Sequence, residues 1–261
     1  MKILLTGHKG FIGSNLYKKL IKENRVDTYD VLDGYIRPKE LVKGKYDWVI
    51  HVGAISSTTE NNIERVMDLN VSWSIELFEE CVYRDINFQW SSSASVYGNS
   101  KTFSENDELN PMNLYARSKF LLEQYISKRK VDIIWQGFRY FNVYGAGEDH
   151  KGEQSSPYSK FERQAKNRGV ISVFEGSENY VRDFIHVDEV CNYHVKFMNQ
   201  TSSGVFNIGT GKTTSFLEVA KTVSNMHKSV IETIPFPEKL RSHYQDYTRA
   251  DMTHTNRILN S

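Results

Sequence analysis

Short apolar runs alternate with longer amphipathic runs along the first half of the chain. Runs of four or five residues rich in β-branched and aromatic side chains predict strands at Ile3–Thr6, Thr28–Leu32, Trp48–Val52, Phe88–Ser91 and Ile133–Gln136. Runs with apolar residues every three to four positions predict helices at Asn15–Glu23, Ile63–Tyr83 and Tyr115–Arg129. This alternation predicts an α/β fold in which a doubly wound parallel sheet is covered by helices on both faces.

The segment after the second predicted strand is short. About fifteen residues separate Leu32 from Trp48, which is little room for the strand and helix that dinucleotide-binding sheets usually carry at this edge. We therefore expect the strand at that edge to be trimmed or absent. Together with the end of the chain at Ser261, the short 34–47 segment predicts a compact variant.

The pattern changes after Gly145, where it loosens into charged and aromatic loops. A late strand is predicted at Val205–Ile208 and a helix from Phe216. Ser215 and Glu218 form a capping-box signature at the start of that helix. We expect two domains: residues 1–145 bind a dinucleotide, and residues 146–261 form mainly a small C-terminal substrate-binding lobe that returns a strand or helix to the first domain.

The first predicted strand runs into a turn with the pattern GxxGxxG, which we call the glycine turn (residues 7–13). Gly7 permits the tight turn, Gly10 lets the backbone approach a pyrophosphate, and Gly13 lets the following helix pack close to the strand. The start of a helix also offers free N–H groups to an anion. A plain turn between strand and helix is the alternative, but the strand before and the helix after favour a dinucleotide site.

Composition limits the partners that the protein can have. The chain has 261 residues, 39% of them hydrophobic and 25% charged, and a net charge of +1, so neither nucleic acid nor an anionic membrane is an electrostatic partner. The sequence enters its first predicted strand within two residues and has no run of about eighteen apolar residues, so we expect neither a signal peptide nor a membrane span. Cys81 and Cys191 show no metal-ligand spacing. We expect a cytoplasmic protein with reduced, buried thiols and no metal.

A serine-rich run, Ser91-Ser92-Ser93-Ala94-Ser95-Val96-Tyr97-Gly98, precedes a Tyr-x-x-x-Lys pair at Tyr115 and Lys119. Residues four apart share one face of a helix. A phenol with a pKa near 10 is a poor base at neutral pH unless a cation favours the phenolate. This spacing alone occurs on many solvated helices, but beside a glycine turn and a serine run it predicts a site for proton transfer.

Four motifs in order carry a family resemblance: GxxGFIG in the glycine turn, SSSxxVYG at a strand end, YxxxK on a helix, and RYFNVYG at Arg139–Gly145. In these motifs the chain resembles the extended short-chain dehydrogenase/reductase family, in its NAD-dependent epimerase/dehydratase branch. The resemblance covers nearly the whole chain. It implies a Rossmann-type sheet, a bound NADP or NAD, a small-molecule nucleotide-sugar substrate, and a homo-oligomer.

Within that branch, several segments are similar to the ADP-heptose 6-epimerase subfamily. They are Ser56–Glu60, His150–Gly152, Phe174–Asn179, Arg182–Phe184, and Ile234–Pro237 leading to Tyr244-Gln245. This implies an isomerase that inverts C6 of ADP-D-glycero-D-manno-heptose by transient oxidation and re-reduction, in carbohydrate metabolism that serves lipopolysaccharide biosynthesis. Another 4-epimerase, dehydratase or reductase of the branch, and a non-catalytic nucleotide-binding protein, remain alternatives.

The resemblance assigns four catalytic residues. Tyr115 acts as one acid/base, Lys119 lowers its pKa and binds the nicotinamide ribose, and Ser93 hydrogen-bonds the reacting oxygen. Lys151, in the HKG segment, acts as the second acid/base on the other face of the sugar. A lysine in a polar loop is usually only solvated, and it is the HKG context that reverses this interpretation.

The resemblance also assigns binding residues. Those for the cofactor are Gly7, Gly10, Phe11, Ile12, Gly13, Asp30, Asp33, Val52, Gly53, Ala54, Asn70 and Lys119. Those for the substrate are Ser56, Asn142, Phe174, Glu175, Gly176, Ser177, Arg182 and Tyr244.

Some of these assignments have alternatives. Asp30 and Asp33 compete for the adenosine ribose, and Asp30 fits the strand end better; an acid there favours NAD by repelling a 2′-phosphate. The resemblance nevertheless favours NADP, because the heptose epimerases accept it with nearby cations, for which Arg37 and Lys39 are candidates here. Arg182 could instead pair with neighbouring Asp183. Phe174 could be a core residue.

Overall fold

The computed structural model describes residues 1–57, 59–238 and 245–260 of the chain. The strands are β1 (Lys2–Thr6), β2 (Arg25–Tyr29), β3 (Trp48–His51), β4 (Asn87–Ser93), β5 (Trp135–Tyr140), β6 (Asn142–Tyr144), β7 (Val170–Phe174), β8 (Val181–Arg182), β9 (Phe184–His186), β10 (Gly204–Ile208), β11 (Thr214–Ser215) and β12 (Val230–Ile234). The helices are α1 (Phe11–Leu20), α2 (Pro38–Leu41), α3 (Ile63–Met67), α4 (Trp73–Tyr83), α5 (Leu114–Ser127), α6 (Pro157–Arg168), α7 (Val187–Phe197), α8 (Phe216–His227) and α9 (Thr253–Leu259).

The central sheet has six strands in the order β10-β5-β4-β3-β1-β2, and every pairing in it is parallel. The Rossmann-type sheet that the sequence predicts is therefore confirmed. Strand β2 lies at the edge, and between it and β3 the chain forms only a 3-10 turn at Val31–Asp33 and the short helix α2. The expected loss of an edge strand is confirmed as well.

Both faces of the central sheet are covered by helices, because each strand buries side chains on alternate sides. On one face, Leu4, Phe88 and Trp90 pack with side chains of α4 and α5. On the other face, Ile3 and Leu5 pack with side chains of α1 and α7. The cysteines that lie in these two layers are free and buried, as expected.

The second half of the chain adds three two-stranded sheets, β6-β9, β7-β12 and β8-β11. Helices α6 and α8 pack over β7 around Phe161, Ile171 and Val219. The same half returns β10 and α7 to the layers of the central sheet. A division near residue 145 into a dinucleotide-binding part and a substrate lobe remains our proposal.

The loose pattern predicted beyond Gly145 is wrong, because α6 and α7 lie there. Helix α6 is well specified locally: the Ser156 side chain accepts a hydrogen bond from the N–H of Ser159, Pro157 occupies the first turn, and Gly169 ends the helix with a positive φ of 66°. Only Phe161 and Ala165 are buried on it. With so few apolar positions, the sequence of α6 shows no clear helical periodicity, and the helix was therefore not predicted.

Two predicted strands were also misplaced. Strand β2 lies at Arg25–Tyr29 rather than Thr28–Leu32, since an edge strand is half exposed and its apolar run does not mark it. Strand β5 extends to Tyr140 beyond the predicted Ile133–Gln136. Its polar Gln136 and Arg139 are buried because each has a partner, Gln89 for the first and Glu123 for the second.

The predicted helix over Ile63–Tyr83 is confirmed, with a π-turn at Asp68–Ser72 between α3 and α4. The capping box at Ser215 and Glu218 is confirmed as well, at the start of α8. In the described part of the chain, no helix combines the length and the apolar character needed to cross a bilayer.

Candidate active site

The predicted site residues converge because parallel strands present their carboxyl ends at one edge of the sheet. Gly7 follows β1, Asp30 follows β2, and residues 52–54 follow β3. Ser93 ends β4, and Asn142 comes directly after Phe141 at the end of β5. Helix α5 brings Tyr115 and Lys119 to the same edge, since Lys119 contacts Ser91 of β4.

The glycine turn has no room for a side chain at Gly7 or at Gly13. Gly7 has a φ of +83°, and a Cβ atom there would lie 2.3 Å from the nitrogen of Gly53. A Cβ on Gly13 would lie 2.0 Å from the carbonyl oxygen of Gly7. On Gly10 the nearest neighbour would be that oxygen at 3.4 Å, an ordinary contact. Glycine at position 10 therefore leaves space beside the first turn of α1, and this cradle fits a dinucleotide pyrophosphate.

The two acidic candidates for the ribose differ in their surroundings. Asp30 is buried directly after β2, and its carboxylate accepts hydrogen bonds from the N–H of Lys9 (3.2 Å) and of Leu32 (3.0 Å). Asp33 is exposed and pairs with the Lys9 ammonium. Arg37, the nearest predicted cation, is exposed, as is Lys39. Asp30 is thus tied to the glycine turn through a backbone N–H, whereas Asp33 contacts it only through the exposed side chain of Lys9.

Ser93, Tyr115 and Lys119 lie together. The Asn113 side chain accepts a hydrogen bond from the N–H of Ala116 (2.8 Å) and starts α5 just ahead of Tyr115. The Lys119 ammonium donates to the Ser91 carbonyl oxygen (2.8 Å) and lies 5.9 Å from the centre of the Tyr115 ring. The Ser93 hydroxyl accepts from the N–H (3.2 Å) and the hydroxyl (2.9 Å) of Ser95 and lies near enough to Tyr115 to act on the pKa of its phenol.

Burial shifts both ionisable groups toward neutrality. Burial raises the pKa of the Tyr115 phenol, and the polar Ser93 side chain nearby opposes the rise. Burial lowers the pKa of the Lys119 ammonium to about 7, and the charge of Glu123 opposes this fall. Burial therefore favours the neutral forms of both groups at this site.

Lys151 lies in the turn Asp149–Gln154, which we call the lysine turn. Its ammonium is 4.7 Å from the centre of the Phe11 ring, at the start of α1. Burial lowers the pKa of Lys151, and the charge of Glu148 opposes this. The structure thus places Lys151 beside the glycine turn, away from bulk solvent.

Asn70 lies beside the loop that follows β3. Its side chain is buried in the π-turn, where it accepts from the N–H of Ile55 (2.8 Å) and donates to the carbonyl oxygen of Ile55 (2.9 Å) and to the Ser118 hydroxyl (3.0 Å). Through these contacts Asn70 holds the loop after β3 against α5. Ser56, the next residue of that loop, is exposed.

Two predicted substrate ligands are engaged within the lobe. The Asn142 amide nitrogen donates to the carbonyl oxygen of Asp183 (3.1 Å). Arg182 is buried, donates to the carbonyl oxygens of Val181 (2.9 Å) and Gln245, and lies over the Phe216 ring.

The alternative hypothesis that Arg182 forms an ion pair with Asp183 is wrong. The Asp183 carboxylate accepts instead from the N–H groups of Thr210 (2.8 Å), Gly211 (2.8 Å) and Ala250 (3.1 Å).

The Phe174–Ser177 segment forms a turn after β7. The Phe174 ring lies 5.2 Å from that of Phe236, which lies 5.3 Å from the Tyr180 ring. Gly176 takes a positive φ of 77°, Ser177 is buried, and Glu175 is exposed. Phe174 thus shares an aromatic cluster, so the core alternative stays open. Tyr244 lies outside the described residues.

Sequence reasoning missed two carboxylates behind the lysines. Glu123 is buried four residues after Lys119, so its helical spacing was a usable signal. Glu148 is buried between the end of β6 and the start of α6, where no motif marks it. Among residues 1–57, 59–238 and 245–260, no cluster of three or more His, Cys, Asp or Glu side chains is arranged to hold a metal ion.

The fold is shared with solved sugar-nucleotide enzymes. A Helicobacter pylori ADP-L-glycero-D-manno-heptose-6-epimerase is 27% identical, with a TM-score of 0.87 over 99% of this chain and 90% of that one. A Thermotoga maritima UDP-glucose 4-epimerase, solved with UDP-glucose, is 25% identical, with a TM-score of 0.85 over 100% and 93%. A Methanobrevibacter ruminantium UDP-N-acetylglucosamine 4-epimerase is 23% identical, with a TM-score of 0.89 over 98% and 91%, and shows the fold alone.

A family model matches most of the chain, from residue 3 to residue 209. The matched stretch includes the glycine turn, Ser93, Tyr115, Lys119 and Lys151. The protein belongs to the NAD dependent epimerase/dehydratase family.

Proposed function

We propose that the protein is a nucleotide-sugar epimerase that inverts C6 of ADP-D-glycero-D-manno-heptose. The observation that carries the proposal is the Lys151 ammonium 4.7 Å from the Phe11 ring, beside the glycine turn. Inversion at one carbon needs a proton carrier on each face of the sugar, and Lys151 is the second carrier besides Tyr115. The 27% identity to the Helicobacter pylori ADP-L-glycero-D-manno-heptose-6-epimerase supports the choice of substrate.

NAD(P) is the cofactor of this family, and its nicotinamide, when bound, accepts and returns the hydrogen of the sugar carbon. The glycine turn and the first N–H groups of α1 would hold the pyrophosphate. Asp30, fixed by two backbone N–H groups, would bind the adenosine ribose. A buried acid at this place favours NAD over NADP, because it repels a 2′-phosphate.

Tyr115 moves the first proton. The charged Lys119 favours the phenolate, so Tyr115 can take the proton of the sugar hydroxyl while the carbon is oxidised. Ser93 donates a hydrogen bond to the same oxygen, where negative charge develops. Lys151 protonates the oxygen when the carbon is reduced from its opposite face. After one turnover Tyr115 holds an additional proton and Lys151 has lost one, so proton exchange with water between turnovers restores the phenolate and the ammonium.

A 4-epimerase acting on a UDP-sugar is the second candidate. The Thermotoga maritima UDP-glucose 4-epimerase, 25% identical over the whole chain, supports it. A 4,6-dehydratase is disfavoured, because such an enzyme normally has an Asp-Glu pair directly after the catalytic serine. In this chain Ala94 and Ser95 follow Ser93. The cluster of Ser93, Tyr115 and Lys119 argues against a non-catalytic nucleotide-binding protein, which needs no proton carriers.

The test is a panel of ADP-, GDP-, UDP- and dTDP-sugars incubated with the purified protein and catalytic NAD or NADP. We expect proton NMR to show inversion at C6 of the ADP-heptose without consumption of the cofactor. Inversion of UDP-sugars alone would assign the second candidate. Binding of NAD without turnover of any sugar would leave the non-catalytic alternative. The Tyr115→Phe protein is the control for contaminating activity.

A further inference from the structure

Three consecutive serines at the end of β4 lie beside three different side chains on one face of α5. The pairs are Ser93 with Tyr115, Ser91 with Lys119, and Ser92 with Glu123. The three helix residues are four positions apart, so they form one row along the helix. The proposed function uses the first two pairs and leaves the third without a role.

The third pair belongs to a buried charge network. The Glu123 carboxylate is 2% exposed and accepts from the Arg139 guanidinium through Nη2 (2.7 Å) and Nε (3.1 Å). Arg139 in turn donates to the Tyr97 hydroxyl (2.9 Å). Burying such a pair costs so much desolvation that apolar residues of similar size often stabilise a fold equally well. Stability alone is therefore a weak reason for this pair to lie here.

The surroundings of Lys119 supply another reason. Its ammonium is buried, and a charge in that environment is unfavourable unless an opposite charge lies close by. The titratable groups that act on it or contact it are Tyr115 and Glu123 on its own helix and His51 on β3, while Arg139 on β5 contacts Glu123. His51 is neutral, because burial lowers its pKa to about 3. Glu123 is thus the anion that opposes the loss of the Lys119 proton.

We propose that Glu123, held by Ser92 and Arg139, is a positioning residue that keeps the Lys119 ammonium charged beside Tyr115. The inference rests on the proposed function, since the charged lysine matters for proton transfer. Arg139 and Ser92 serve to fix the carboxylate in its ionised form and in one orientation.

The test is a titration of Lys119 in the protein saturated with NAD. Lysine labelled with ¹³C at Cε gives one NMR signal for each lysine, and Lys119→Met assigns the signal of interest. We expect Glu123→Gln to lower the midpoint of that signal by about one pH unit or more, a tenfold loss of proton affinity. The alkaline limb of the turnover profile should move to lower pH by the same amount, because Lys119 loses its proton earlier.

A matched control lies near the C-terminal end of α5. Glu79 of α4 accepts from the Tyr125 hydroxyl of α5 (2.9 Å) and from Nε of Arg129 (2.9 Å), two residues beyond the end of α5, and both charged side chains of this pair reach solvent. Glu79→Gln therefore also removes a carboxylate that contacts a tyrosine and an arginine, but at a site away from Lys119. We expect it to leave the Lys119 midpoint and the turnover profile unchanged.

Glu123→Gln alone leaves the Arg139 charge buried, which is strongly destabilising. The double variant Glu123→Gln/Arg139→Met removes both charges together, and its Lys119 midpoint should also fall. An unchanged midpoint in either folded variant overturns the proposal, and so does loss of the fold in both, which would make the pair structural. Failure of the proposed function is a separate result: the wild-type protein would then invert no nucleotide sugar, whatever Lys119 does in the titration.

Discussion

The two lysines of the candidate site reach it from surroundings that are built differently. Lys119 projects from the fourteen-residue helix α5, packed against the central sheet, and contacts the backbone of β4. Lys151 projects from a single turn between β6 and α6, and its position depends on the fastening of both ends of that turn. Yet burial lowers the pKa of each, and a buried glutamate opposes the fall in each case.

A buried lysine with a buried glutamate behind it occurs in both surroundings, but the two glutamates are held in different ways. Glu123 is held by side chains, Ser92 and Arg139, on two neighbouring strands. Glu148 is held instead by the N–H groups of Gly145 (3.0 Å) and Ser156 (2.6 Å), which bracket the lysine turn. We call Tyr115 and Lys119 the sheet-borne half of the site and Lys151 the turn-borne half. The register of β4 and β5 fixes the carboxylate behind the first, and the single carboxylate of Glu148 fixes the position of the second.

The largest effect that we expect comes from the sheet-borne half. Tyr115→Phe keeps the ring and removes the proton carrier, so turnover should fall about a thousandfold or more while NAD still binds. Turnover on the preferred nucleotide sugar and NAD titration by fluorescence measure the two quantities. Tyr125→Phe on the same helix, whose hydroxyl donates only to Glu79, is the control and should turn over normally. A Tyr115→Phe enzyme with the wild-type rate would assign the proton to another group.

Removing the ammonium from the turn-borne half should cost less. We expect Lys151→Met to reduce turnover of the ADP-heptose about a hundredfold, because the second proton carrier is lost while the Tyr115 side stays intact. Exposed Lys212→Met is the control for loss of positive charge. Single-turnover formation of NADH separates the two halves: it should persist in Lys151→Met and vanish in Tyr115→Phe. Loss of this step in both variants would contradict the division of labour between the two faces.

The sheet-borne half could be predicted further than the turn-borne half. The glycine turn, Ser93, Tyr115 and Lys119 belong to motifs whose contacts follow from helical spacing and from strand ends, so the sequence was sufficient. The link from Glu123 to Arg139 depends on β4 and β5 pairing in register, with Ser92 beside Arg139, and no local pattern shows this. Asn70 was placed near the cofactor, but its partners come from a loop and a helix that only the fold brings together.

Glu148 holds both ends of the lysine turn. Glu148→Gln keeps the size of the side chain but leaves the N–H of Ser156 without its anionic acceptor, which costs about 1–3 kcal/mol of stability. We expect turnover to fall about tenfold, less than in Lys151→Met, because the lysine remains but is less well placed. Loss of the Glu148 charge should also lower the pKa of Lys151 further.

The control for this variant is Glu218→Gln. Glu218 accepts from the N–H (2.7 Å) and the hydroxyl (2.9 Å) of Ser215 at the start of α8, the same contacts that Glu148 makes with Ser156. It should lower the melting temperature to a similar extent with no effect on turnover. If both variants lose turnover equally, Glu148 acts through stability alone.

Acid should weaken the sheet-borne half before the turn-borne half, since His51 lies under the former. Its Nδ1 accepts from the Thr6 hydroxyl (2.7 Å), and its Nε2 donates to the Ser74 hydroxyl (2.9 Å), which itself donates to the Leu69 carbonyl oxygen. Burial, together with the Lys119 charge, lowers the pKa of His51 to about 3. The unfolded chain, with a histidine pKa near 6.5, therefore binds one more proton than the folded chain between those values.

Stability should then be full above pH 6.5 and fall by about 1.4 kcal/mol per pH unit for this group as the pH drops toward 3. Urea unfolding at a series of pH values measures the slope. His51→Gln can still accept from Thr6 and donate to Ser74 without titrating, so its slope should be shallower by that amount. His227→Gln, at the partly exposed end of α8, should keep the wild-type slope. Equal slopes in all three proteins would mean that the edge of the sheet under Lys119 is no more sensitive to acid than the lobe that carries α8.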